Sequence, residues 1–153
     1  MAPALQTRYV FSLAIKIGAP IVAGDFGYGV RRIIPILGGE VRGPDMHGTI
    51  FPCGADFQII RPNGFTELEA KYAFQMDDGA IIYIENIGIR FGPKEALDRI
   101  ARGEIVDPAL IYFRSAPKFE TGAAKYRWLM ENLFIGVGAR HPSRVEIDVH
   151  QVM

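Results

Sequence analysis

The residues with most capacity for chemistry in this chain are acids and an arginine standing inside apolar, strand-like segments. They are Asp56 in "ADFQII", Glu69 in "TELEAKYAF", Tyr83 and Glu85 in "AIIYIENIG", and Arg114 in "IYFRS". Drawn from several strands into one lumen, such a set performs general acid–base catalysis. A carboxylate near a cation stays ionised as a base, and one against an apolar wall keeps its proton as an acid. An arginine and a tyrosine stabilise negative charge developing on oxygen. Asp56 or Glu69 is the expected base and Arg114 its electrostatic partner. Tyr72, Tyr83, Tyr112 and Trp128 offer flat faces to a planar ligand, and Asn86 offers a hydrogen-bonding amide.

Each of these residues also has a plainer reading. Asp56 follows a glycine-containing bend, where aspartate commonly caps backbone. Glu69 shares a strand face with Glu67 and Lys71, opposed by Leu68, Ala70, Tyr72 and Phe74, as on a solvated surface. Arg114 is satisfied by an internal salt bridge as readily as by a ligand. Asn86 reads also as a turn contact, and large aromatics are the ordinary content of a small core.

Other chemistries find less support. His47, His141 and His150 lack a metal-ligating partner at i+2 or i+4, so no metal is expected. Cys53 is the only cysteine, which excludes an internal disulfide, and it reads as a small hydrophobe rather than a nucleophile. The serines lack a nucleophile elbow. The glycines of residues 38–54 precede no lysine–serine/threonine ending and enter no helix, so they read as bends, bulges and tight crossings of a curved sheet rather than a phosphate cradle.

The elements that must position these groups are mostly strands. "LQTRYVFSLAIKIG" alternates, with Leu5, Thr7, Tyr9, Phe11, Leu13, Ile15 and Ile17 on one parity. "RRIIPILGGEV" is a second strand, in which Pro35 marks an edge, bulge or end. "ADFQII" and "FTELEAKYAFQM" flank "RPNG", whose Asn63-Gly64 pair predicts a hairpin. "DDG" at residues 77–79 turns the chain into "AIIYIENIGIRFG", and "ALIYFRSAPKF", "NLFIGVGARH" and "RVEIDVHQV" follow. "GPKEALDRIARGE" predicts a short helix between Pro93 and Gly103, and "ETGAAKYRWLMENL" a second helix or helical turn. No repeat or linker divides the chain, so residues 1–153 are expected to form one domain. The fold class is all-β: a closed antiparallel β-barrel of about 8–10 strands, meander-rich and lipocalin-like in appearance, with one or two short helices.

Lysine plus arginine and aspartate plus glutamate number 17 each, so no net field attracts nucleic acid or an anionic membrane. No apolar run reaches the roughly 20 residues of a membrane helix, and no secretory signal pattern opens the chain. A cytoplasmic location is expected.

The ordered blocks "RRIIPILGG", "GPDMHG", "PCGADFQIIRPNG", "LEAKY", "DDGAIIYIENIG", "YFRSAPKFET" and "FIGVGAR" resemble the bacterial and fungal family known as domain of unknown function 3237, or uncharacterised protein family 0311. The resemblance runs from Leu5 to Val149. Cys53 and Phe57 stand where the family carries glycine and tryptophan. The resemblance implies a closed antiparallel barrel, commonly dimeric, with no established cofactor, and some fungal relatives look like cyclases that form an oxygen heterocycle. Three functional expectations follow. The first is a cofactor-independent cyclase, isomerase or lyase acting by proton transfer on a small aromatic or oxygenated substrate. The second is a non-catalytic binding protein for a small hydrophobic ligand, and the third is a dimeric assembly module with a filled lumen.

Overall fold

A computed structural model describes all residues, 1–153. Ten strands run as β1 (Thr7–Ile17), β2 (Ile21–Asp25), β3 (Val30–Arg42), β4 (His47–Ile50), β5 (Ala55–Ile60), β6 (Thr66–Met76), β7 (Ile81–Phe91), β8 (Tyr112–Glu120), β9 (Phe134–Arg140) and β10 (Arg144–Val152). All pairings are antiparallel, and β1 closes the sheet by pairing with both β10 and β3. Closure leaves eight staves from ten strands. β4 and β5 lie end to end between β3 and β6, and β2 continues the line of β1 along the first half of β3. The expected closed antiparallel barrel is the fold.

Alternation sets the interior. Phe11, Leu13, Ile15 and Ile17 of β1 are buried as their parity predicts, but a register shift between Tyr9 and Phe11 breaks the pattern and leaves Tyr9 outside. Pro35 sits where β3 exchanges its neighbours β2 and β5 for β1 and β4, so its missing donor falls at the end of a ladder. The hairpin at Asn63-Gly64 forms as predicted: Gly64 has φ +86° and Asn63 Oδ1 accepts from the Phe65 amide at 3.1 Å. At Gly54 (φ +73°) an added Cβ would lie 1.8 Å from the Lys71 carbonyl oxygen, so β5 packs this closely on β6 because no side chain intervenes.

Helix α1 (Lys94–Ala101) follows Pro93 and stops before Gly103 (φ +79°). Its Leu97 side chain meets Gly64 of the hairpin, which sets the helix against the β5–β6 end of the barrel. The second helical segment is a 3-10 turn over Ala124–Leu129. It drives Tyr126 and Leu129 into the opposite end, where Phe11, Phe74, Phe119 and Phe134 interlock and the Phe119 and Phe134 centroids are 5.3 Å apart. One end of the barrel is therefore solid and aromatic. No helix is long and apolar enough to cross a membrane.

Candidate functional site

Polar side chains enter the other half of the lumen, each placed by strand parity. β5 turns Asp56 and Gln58 inward, β6 Tyr72, β7 Asn86 and Arg90, β8 Ser115, β3 Arg32 and β9 Arg140. Between Asp56–Ala70 and Ile59–Glu67 the β5–β6 ladder opens. The Asp56 carboxylate fills the gap: Oδ1 accepts from the Glu69 backbone amide at 3.2 Å, and Oδ2 accepts from Gln58 Nε2 at 2.9 Å.

Asp56, Gln58, Tyr72, Asn86, Ser115 and Arg140 line one cavity, whose remaining wall is apolar, with Ile17, Ile36, Leu68, Phe113 and Val145 among its residues. The cavity volume is about 40 Å³, room for about three waters. Four buried polar atoms on this wall have no hydrogen-bond partner: Gln58 Oε1, Tyr72 Oη, Asn86 Oδ1 and Ser115 Oγ. Arg32 Nε and Arg90 Nε, set back from the wall, are likewise buried without one.

The electrostatics follow from burial. Loss of water pushes the Asp56 carboxyl above the usual carboxylate range, against the opposing pull of the Gln58 hydrogen bond, the charge of Arg90, the Glu69 amide and Arg140. Burial lowers Arg90 to about 10, which leaves it charged at neutral pH. Tyr72 is raised by burial and by the nearby Asp56, so its hydroxyl keeps its proton. The site therefore holds an acid–base group with an elevated pKa, neutral donors, and fixed cations.

The structure gathers Asp56, Tyr72 and Asn86 from the residues singled out in the sequence, and separates the others. Glu69 points outward, half exposed, with Lys71 Nζ 3.6 Å away; only its backbone amide serves the site. Arg114 lies outside over the Tyr112 ring, its Cζ 5.1 Å from the centroid, and donates to the Phe113 carbonyl at 2.9 Å. Tyr83 is also outside, donating to Glu85 at 2.8 Å. Trp128 packs against Phe134 at the aromatic end, away from the cavity. Tyr112 is outside as well, and strand parity explains the outer placements of Glu69, Tyr83, Tyr112 and Arg114, because inward Leu68, Ile84 and Phe113 force their neighbours out. Sequence reasoning missed Arg32, Arg90, Ser115 and Arg140. For Arg90 a signal existed, since it shares parity with Asn86.

Fold and site together define a closed antiparallel barrel with a solid apolar end and a small, partly polar cavity in the other half. The chain belongs to the protein family of unknown function DUF3237, whose model matches residues 5–152. A UPF0311 protein of Rhodopseudomonas palustris is 61% identical over the whole of both chains. The crystal structure of the R. palustris protein of unknown function superposes with a TM-score of 0.97, covering 99% of this chain and 100% of that one at 61% identity. A β-barrel-like protein from Acinetobacter baumannii, 34% identical, gives 0.87 over 100% and 99% of the two chains. An enzyme from Penicillium herquei shares the fold at a TM-score of 0.74 with 18% identity, over 100% and 98% of the chains.

Proposed function

We propose that the cavity binds a small, partly apolar molecule and that Asp56 moves a proton on it, without a cofactor. The observation that carries this reading is the convergence of four unpartnered buried polar atoms on one cavity beside a desolvated carboxyl. Leaving a buried polar group unsatisfied costs about 1–3 kcal/mol, so such groups are retained where something other than packing uses them. A carboxyl whose pKa is lifted toward neutrality is a better base when ionised and an available acid when protonated. Cyclisation, isomerisation and addition–elimination all require only such transfers, with Tyr72 and Ser115 donating hydrogen bonds to an oxygen that gains charge.

Nitrobenzisoxazole tests the base directly. A carboxylate removes its ring C–H proton, the N–O bond breaks, and a coloured cyanophenolate forms. Asp56→Asn is expected to lower the rate about 100-fold or more, whereas Glu69→Gln and Arg114→Met, both outside the barrel, keep it. Undiminished turnover by Asp56→Asn overturns the assignment. A non-catalytic binding role is the second reading, favoured by the same unpartnered atoms; it expects saturable binding with no Asp56-dependent turnover. The presence of a cavity argues against a barrel that serves assembly alone.

A further inference from the structure

Charge inside the barrel is unequal. Arg32, Arg90 and Arg140 enter the lumen half from three different staves, and Asp56 is the acid whose charge reaches all three. Arg32 and Arg90 are 7% and 4% exposed. None of the three forms an ion pair within 4.0 Å, although ten such pairs decorate the rest of the molecule. Arg140 spends one amino group on the His141 and Pro142 carbonyls of its own turn, which fixes its guanidinium at the cavity wall. Arg32 and Arg90 keep buried Nε atoms without acceptors. Arg42, Arg61, Arg99, Arg102, Arg127 and Arg144 each pair with a carboxylate at the surface; the three lumen arginines do not.

Burying a cation without a counter-charge is among the most expensive arrangements in a fold, and arginine does not relieve it by losing its proton at neutral pH. Three cations against one acid leave an excess of positive charge whether Asp56 is ionised or not. Of the three, Arg140 stands on the wall of the cavity itself. Tyr72 and Ser115 supply hydroxyl donors on the same wall, and the apolar residues around them suit a hydrocarbon or aromatic body.

We infer that this site selects an anionic small molecule, seating its carboxylate at Arg140 with Arg32 and Arg90 reinforcing the field from behind. The inference rests on the reading of the cavity as a ligand site and names the chemical class of that ligand. Arg140 is a binding residue in this account, and Arg32 and Arg90 act through their charge alone.

Calorimetric titration with benzoate and with benzamide, which share size and shape but differ in charge, tests it on the intact protein. Benzoate is expected to bind about tenfold more tightly or better, the margin of one charge-assisted pair. Arg140→Met is expected to erase that preference while benzamide binding stays, and Arg114→Met, on the outer face, is expected to retain it. Equal affinities for the two probes in the wild-type chain, or binding of neither, overturn the inference without reference to any variant. Equal affinities alongside Asp56-dependent opening of nitrobenzisoxazole would remove anion selection and keep the proton-transfer reading. A benzoate preference with no such turnover would do the reverse.

Discussion

Asp56 is the residue on which the proposed chemistry turns, and its burial makes two measurable demands. Its folded-state pKa is held above the unfolded value, so folding favours the protonated form. The stability this gives is full below the ordinary aspartate value of about 3.9 and is lost as pH rises through the elevated one. Asp56→Asn, which mimics the protonated acid, is therefore expected to raise the melting temperature at neutral pH, and the gain should vanish in acid. Thermal unfolding of both chains across pH measures it; equal melting temperatures at pH 7 would refute the desolvation argument. A second demand concerns the proposed anion site. Arg32, Arg90 and Arg140 stay charged and Tyr72 stays neutral over this range, so protonation of Asp56 removes the one repulsive group facing a bound carboxylate. Benzoate affinity should accordingly rise as pH falls through the Asp56 transition, and the dependence should be absent in Asp56→Asn. Of the residues marked for chemistry in the sequence, Asp56 was legible because a polar residue in "ADFQII" must face one way or the other beside Gln58. Arg90 shares the parity of Asn86, but nothing in "AIIYIENIGIRF" or "IYFRS" tells which face of either strand meets the lumen, so the sequence reading singles out Arg114 and passes over Arg90, and only the folded register separates them.

At the scale of elements, turn chemistry was the most readable part. Asn63-Gly64 and Asp78-Gly79 form the predicted hairpins, with Gly79 at φ +94° and Asp78 Oδ1 accepting from the Ala80 amide at 3.0 Å. β2 and β4 were not foreseen. "IVAGD" lies mostly exposed, and "HGTI" is only four residues long, so neither carries an alternating signature. Both are fragments of staves that bend: β1 passes into β2 through Gly18–Pro20, and β4 into β5 through Phe51–Gly54. The second bend matters to the site, because Gly54 lets β5 settle on β6 and bring the Asp56 carboxylate to the Glu69 amide. Gly54→Ala combines a positive φ with a carbonyl collision and is expected to cost about 1–3 kcal/mol or more, read as a lowered urea midpoint. A neutral substitution there would show that the close approach relaxes freely.

For the whole molecule, the outer surface of β7 and β8 is unusual for a solvated barrel. Ile87, Ile89, Phe91 and Tyr112 are all at least a third exposed and contiguous, and Phe65 packs beside Phe91 with centroids 5.7 Å apart. Patches of this kind are often association surfaces, and we propose that this one joins two copies of the chain. Light scattering is expected to give twice the 17.0 kDa chain mass, and Ile89→Lys is expected to return the monomer; a monomeric wild type would remove the proposal.

The aromatic plug formed by Phe11, Phe74, Phe119, Phe134, Tyr126 and Leu129 carries a kinetic consequence. With one end of the lumen packed shut by these side chains, a ligand of the proposed kind is barred from that end. Under the proposed proton-transfer reading, reactant and product would share the one polar half of the lumen, so product held there would exclude the next reactant. Inhibition by product should be strictly competitive, and two reactants arriving separately would have to queue rather than meet from opposite sides.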